Sequence, residues 1–342
     1  MTLDEISIIL VYSAMAVYAI AFIAYAIDLA RRSAAATKAV DVAKMPVAVG
    51  AAASAAVEGS DVAPATTAAG GRAAASVAYG RSPSLRVGVA MTVIAWLLHL
   101  SADVLRGIAA GRVPWANMYE FALTGTLVIT SVFLLVLVVA KHDLRFLGTF
   151  ITGLVLVLLG VATVNFYVSV VPLPPALQSA WLVIHVFVAT SAVGFLALGF
   201  ALSVVQLLQS RRESIAASLR QAQGTAAKAV KQSFLATLPD SATLENLAYR
   251  VIIVGFILWT FTLMAGAIWA ESAWGRYWGW DTKEVWTFII WVVYAGYIHA
   301  RATRGWRGSR SAWLAIIGFS TVLLNFTVVN LFFKGLHAYS GL

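Results

Sequence analysis

The sequence predicts an all-α polytopic membrane protein of about eight transmembrane helices, with a tryptophan-rich segment on the extracytoplasmic side. Three observations predict it. Of the 342 residues, 61% are hydrophobic and 11% charged, and mean hydropathy is +0.85, far from the balance of soluble domains. The apolar residues gather into eight runs, at 6–30, 88–110, 118–140, 146–168, 181–208, 250–272, 285–301 and 311–333, each near the ~20 residues that a helix needs to cross a bilayer core. The basic residues fall on alternate connections: 31–87, 141–145, 209–250 and 301–310 hold 19 of the 24 Lys and Arg. The positive-inside rule puts those connections in the cytoplasm of a cell-membrane protein and both termini outside. The net charge of +9 is thereby a topological signal, and no nucleic-acid partner is expected.

Each part of the chain has its own reason. The first run follows Asp4 and Glu5 rather than basic residues and is too long for a signal-peptide core, so 1–32 is expected to be an N-terminal transmembrane helix. Residues 33–87 are rich in Ala with scattered charge and Gly, the composition of a disordered cytoplasmic linker. Helices two to five occupy 88–208, and Asp103 and Arg106, three apart, are placed to pair along the second of them. Residues 209–249 carry Leu and Ile at helical spacing among charges, as an amphipathic cytoplasmic connection on anionic membrane lipid does. The last three helices and the tail fill 250–342. The chain has no cysteine, so it forms no disulfide and any thiol chemistry in its pathway belongs to a partner.

Between the sixth and seventh runs lies Trp274-Gly-Arg276-Tyr-Trp278-Gly-Trp280-Asp281-Thr-Lys283-Glu284-Val-Trp286. An interface belt enriches Trp but does not space it with glycines in this manner. Flat faces separated by small residues suit a planar apolar ligand. Asp281 and Glu284 are placed to cap the following helix, and Arg276, or else Lys283, to pair an anionic edge of such a ligand. Trp269, Trp286 and Trp291 read as belt or packing residues.

Four of the five histidines fall in or beside spans, where an ionisable group is costly and suggests function; the bland reading of each is a hydrogen bond to a neighbouring helix. His185 and His337 lie at the level of the tryptophans. His299 and His99 lie about 20 Å inward at 1.5 Å per residue. Each pair draws on two helices, and two imidazoles facing each other across a gap can supply both axial ligands of a haem iron. Zinc would want three or four ligands and no tryptophan. His142 is an ordinary loop residue.

At this point the residues resemble a known family. The segment from Trp274 to Trp286 is similar to the WWD signature of haem-handling proteins, within it the CcsA/ResC type of system II cytochrome c biogenesis, called CcsB in actinobacteria. Three further stretches agree: Gly111-Arg-Val-Pro-Trp-Ala-Asn117-Met-Tyr119-Glu120, Pro175-Ala-Leu-Gln178-Ser-Ala-Trp181-Leu-Val-Ile-His185-Val, and Gly335-Leu-His337-Ala-Tyr339. The resemblance covers about residue 88 to the end. It implies non-covalent haem b as a transported substrate. His185 and His337 would be its external iron ligands, His299 and His99 its membrane ligands, and Trp274, Trp278, Trp280, Asp281 and Arg276 would contact or support it. It implies a ResB-like membrane partner, apocytochrome c as recipient, and thioredoxin-like reductants acting indirectly. Two departures stand out. Thr282 replaces a frequent proline after the WWD aspartate, and Arg112 stands where the family has a histidine. Rival readings are a quinone-linked b-type cytochrome and a haem-free assembly factor.

Overall fold

The computed structural model describes residues 1–44, 82–172, 178–222, 234–303, 305–333 and 335–336. Among them the chain is helical, with no strand. The helices are α1 (Leu3–Lys44), α2 (Pro83–Ala110), α3 (Met118–Val139), α4 (Gly148–Asn165), α5 (Ala180–Ala222), α6 (Ser241–Trp274), α7 (Thr282–Thr303) and α8 (Ser309–Leu324). The last helix continues through a π-helical turn, Asn325–Val329, to Phe332.

Local chemistry sets the ends that matter. Pro83 opens α2, and Gly111 closes it at φ 62°, a left-handed conformation that glycine adopts without a Cβ penalty. Asn117 caps α3, its Oδ1 accepting the Glu120 N–H at 2.9 Å. Asp240 caps α6 through the Thr243 N–H at 2.8 Å, and Gly275, at φ 70°, ends it.

The bundle forms around two closely packed helix pairs, α1 with α2 and α5 with α6. At the second pair, Gly255 lies so near Leu196 that a Cβ would stand 2.8 Å from Leu196 Cδ2. Small residues bring backbones together where lipid supplies no hydrophobic drive between helices. The buried core joins both pairs through Tyr18, Leu123, Phe133, Leu159, Leu202, Ile252 and Phe319.

Among the described residues, seven helices are long and apolar enough to cross a membrane, where eight were expected. The difference is α7. Its 22 residues measure about 33 Å, ample length, but Lys283, Glu284, His299 and Arg301 dilute its apolar character. It still runs the height of the bundle antiparallel to α6. Trp259 Nε1 donates to the Thr287 carbonyl at 3.1 Å, Trp291 Nε1 to Thr260 Oγ1 at 3.0 Å, and Arg301 reaches Glu245 near the start of α6 at 3.3 Å.

Two further expectations are corrected. The first helix does not stop at 32 but continues to Lys44, and Ser33 Oγ accepts the Phe234 N–H at 2.8 Å. Residues 45–81 of the expected linker lie outside the described residues. Nor do Asp103 and Arg106 pair. Arg106 donates to Asp4 at 2.5 Å, Glu120 at 3.0 Å and the Val168 carbonyl at 2.7 Å, while Asp103 accepts from Thr124 at 2.9 Å. A guanidinium with three acceptors from three segments, among them the fully buried Glu120, outweighs one carboxylate on its own helix.

Candidate functional site

At one end of the bundle the loop Gly275–Asp281 folds over the opening of a cavity of ≈230 Å³. The first turns of α3 and α5 and the last turns of α6 and α8 meet there. The cavity runs inward between α3, α5, α6, α7 and α8, from Trp278 and Asn330 at the mouth to Trp259 and Phe319. Phe319 and Asn330 are roughly 16 Å apart along α8. Its wall is mainly apolar and aromatic, with Trp115, Phe121, Trp269, Trp278 and Phe326 among its residues.

The loop is held by one carboxylate. Glu284, buried in the first turn of α7, accepts the Gly279 N–H at 2.8 Å and the Asp281 N–H at 3.0 Å. Trp280 lies between those two donors at φ +60°, the one non-glycine residue with positive φ among those described. For a bulky residue that conformation is strained. Two amides flanking a left-handed residue form an anion-binding nest, and Glu284 is the anion that holds it. Trp280 is thereby turned outward, 75% exposed, with its ring edge-on to Trp278 at 6.0 Å.

His185 lies in the wall, half-buried. Its ring is parallel to Trp269 at 5.8 Å and pressed onto Gly266, where a Cβ would stand 2.8 Å from its Cε1. Its Nδ1 is 3.0 Å from the Thr262 carbonyl oxygen. A carbonyl only accepts, so Nδ1 carries the proton and the neutral ring has its lone pair on Nε2. A backbone carbonyl holding the far ring nitrogen in this way is what orients metal-binding histidines.

Polar groups of α7 and of the π turn also line the cavity. The Lys283 ammonium donates to the Asn325 carbonyl at 3.3 Å and to Asn330 Oδ1; Asn330 Nδ2 in turn meets Met118 Sδ at 3.2 Å. Lys283 stands ahead of the apolar run 285–301.

Behind the mouth, Glu120 is fully buried and binds Arg106 at 3.0 Å, Arg112 at 2.6 Å and the Ala116 N–H at 2.9 Å. Tyr167 and Arg106 both reach Asp4. This network ties α1, α2, the 111–117 loop and the 168–171 segment into one support for Trp115 and Asn117. A buried ionic cluster of this kind needs every partner, since losing one strands a charge.

The structure separates the nine sequence-selected residues. His185 and Trp278 line the cavity. Trp274 stands behind it, edge-on to Trp269 at 4.8 Å, and Trp280 faces away. Arg276 is exposed and folds onto Gly279. The Asp281 carboxylate presses against Gly335, which brings the tail to the start of α7. His337, two residues further, lies outside the described residues. His299 is exposed on α7, opposite the buried Tyr297 and Arg301. His99 is fully enclosed among α1, α2 and α3, with Nε2 3.0 Å from the Leu123 carbonyl and Nδ1 3.4 Å from the Tyr18 hydroxyl. Neither His299 nor His99 lines the cavity, and the structure does not bring the two together.

Among the wall residues that sequence alone does not single out are Trp115, Trp259, Asn325 and Asn330. Sequence alone makes Trp269 a belt or packing residue. The asparagines had a signal, two amides five apart in an apolar run, a spacing that only a π turn places toward one side. The tryptophans had none that separated them from interface anchors.

The cytochrome c assembly protein family model matches residues 115–337. The cytochrome c biogenesis protein CcsA of Guillardia theta is 34% identical over 266 residues, covering 75% of this chain and 86% of that protein. The CcsA protein of Prochlorococcus marinus is 36% identical over 273 residues, 75% of this chain and 84% of its own. That of Synechococcus elongatus is 36% identical over 284 residues, 74% and 87% respectively.

Proposed function

The chain belongs to the CcsA-type cytochrome c biogenesis proteins, and on that basis we propose that it is the haem-handling subunit of a system II cytochrome c synthase. It brings haem b to the outer face of the cell membrane and presents it to apocytochrome c. The observation that carries this reading is His185, held by Thr262 with its lone pair on Nε2, in the wall of a deep apolar cavity beneath the tryptophan loop. That wall offers what the substrate's chemistry asks for: an imidazole ligand, aromatic faces and few polar groups.

With α7 counted as a crossing, the bundle has eight, and both termini share the outer side with the cavity mouth. His185 and His337 bind iron from either side in this reading. Asp281, by its contact with Gly335, holds that residue at the start of α7. Trp278 contacts the macrocycle, Trp274 backs it through Trp269, and Trp280 meets the incoming acceptor. His299 faces away from the bundle, where a ResB-like partner can complete an inner site with it. His99 joins such a site only if its bonds to Leu123 and Tyr18 open.

The attachment itself adds a thiol S–H across each vinyl C=C of haem, sulfur to one carbon and hydrogen to the other, with no leaving group. Positioning is sufficient to favour it, so no residue here acts as a nucleophile. The thiols belong to the acceptor and are kept reduced by thioredoxin-like proteins; this chain has no cysteine.

The test is maturation of a reporter cytochrome c in cells whose only copy of this protein is His185→Ala or His337→Ala. The reading expects haem-stained cytochrome to be lost in both, with the variants still inserted in the membrane. Full maturation in both would remove the proposal.

A further inference from the structure

Asn117 and Asn325 stand in the cavity wall and are 6% and 5% exposed. Each holds a buried polar atom without a hydrogen-bond partner, Asn117 Nδ2 and Asn325 Oδ1. Such atoms are rare because leaving them unpaired is costly. Asn117 cannot turn to relieve this, because its Oδ1 is committed to the Glu120 N–H at 2.9 Å; its amide nitrogen must remain a donor. Asn325 is not so fixed, and a half-turn about its last torsion exchanges oxygen for nitrogen.

The two amides belong to one neighbourhood. The Lys283 ammonium bonds the Asn325 carbonyl and Asn330 Oδ1, and Asn330 bonds Met118, the neighbour of Asn117. Glu284 also lines the cavity, but its Oε2 is turned back to the Gly279 and Asp281 amides. The wall thus gathers a cation, a fixed amide donor and a reversible amide beside Glu284 and Asn330, in a space whose remaining lining is mainly apolar. A π turn carries Asn325, a distortion frequent at functional sites.

We propose that Asn117, Lys283 and Asn325 form a carboxylate-binding end of the cavity. It receives a propionate of the macrocycle and fixes its rotation within the cavity. The inference rests on reading the cavity as the haem site. Arg276, the first choice from sequence for a propionate partner, instead lies exposed against Gly279. A carboxylate here would satisfy both orphaned amides and lie beside the one ammonium in the wall, a charge-assisted arrangement.

The experiment measures equilibrium binding of haem and haem dimethyl ester to the purified full-length protein, with oleate as a competing carboxylate that has no macrocycle. The wild type is expected to prefer haem over its ester by about tenfold or more. In Asn117→Asp, which keeps the capping oxygen and removes the donor, and in Lys283→Met, that preference falls to within about twofold. The loss lies wholly in the haem arm. Oleate leaves haem affinity unchanged. No preference in the wild type, a preference retained in both variants, equal weakening of haem and ester, or effective competition by oleate would each overturn the inference. If neither porphyrin binds, or if His185→Ala leaves both affinities unaltered, the reading of the cavity fails as well.

Discussion

Gly266→Ala tests whether His185 is a positioned ligand. Residue 266 is inside α6, and a Cβ built there stands 2.8 Å from His185 Cε1 and 2.9 Å from Nδ1. Ordinary contact needs about 3.5 Å, so the ring must retreat by roughly 0.6 Å. The Nδ1 bond to Thr262, now 3.0 Å, would stretch to about 3.6 Å, where it no longer counts as a hydrogen bond. Loss of such a partner weakens metal binding about 10- to 100-fold. Alanine is the better helix former by about 1 kcal/mol, so the helix itself is not at risk. Gly296→Ala is the control, because nothing lies within 4 Å of a Cβ there. Haem titration followed by absorption, with thermal midpoints in detergent, reads the outcome. Gly266→Ala should lose at least about tenfold in haem affinity with its midpoint held, and Gly296→Ala should change neither. Wild-type affinity in Gly266→Ala would refute the reasoning, as would a fall in midpoint with affinity unchanged.

Three further outcomes follow from the same geometry. Glu120→Gln leaves Arg106 and Arg112 short of a buried carboxylate and should destabilise the fold by about 3 kcal/mol or more, read as a lower thermal midpoint. Trp280→Gly removes a strain of about 1–3 kcal/mol, so it should not lower the midpoint, while holocytochrome yield in cells falls. His99→Leu removes the ring's hydrogen bonds to the Leu123 carbonyl and the Tyr18 hydroxyl, at a net cost of about 0.5–1.5 kcal/mol each. It should lower the midpoint yet leave haem affinity at the cavity intact; loss of haem with an unchanged midpoint would make His99 a ligand instead.

Much of the fold was legible because lipid crossing imposes length and apolarity on each helix separately, and these are properties of contiguous sequence. The exception is instructive. The run 285–301 was correctly placed as a helix, yet α7 buries Tyr294, Tyr297 and Arg301 against its neighbours, so packing rather than hydropathy sets it in the bundle. The ion pair of Arg106 could not be read locally, because its acceptors Asp4 and Glu120 come from other helices and only tertiary structure ranks them. In the site, His185 and Trp278 stood out by their motifs, whereas the outward turn of Trp280 depends on Glu284 holding the Gly279 and Asp281 amides. The inner histidines were paired by depth alone. Depth fixes a residue's height in the bundle and says nothing of which way its helix turns it, which is how His99 comes to be enclosed and His299 exposed.

The measurement closest to the central claim is the visible absorption spectrum of the purified wild-type protein beside that of His185→Ala. Wild-type protein should retain a tightly held b-type haem with the bands of a low-spin, nitrogen-ligated iron, and the variant should lose that haem or its low-spin bands. A wild-type protein that purifies without haem, takes up none when titrated and still supports cytochrome c maturation would contradict the account.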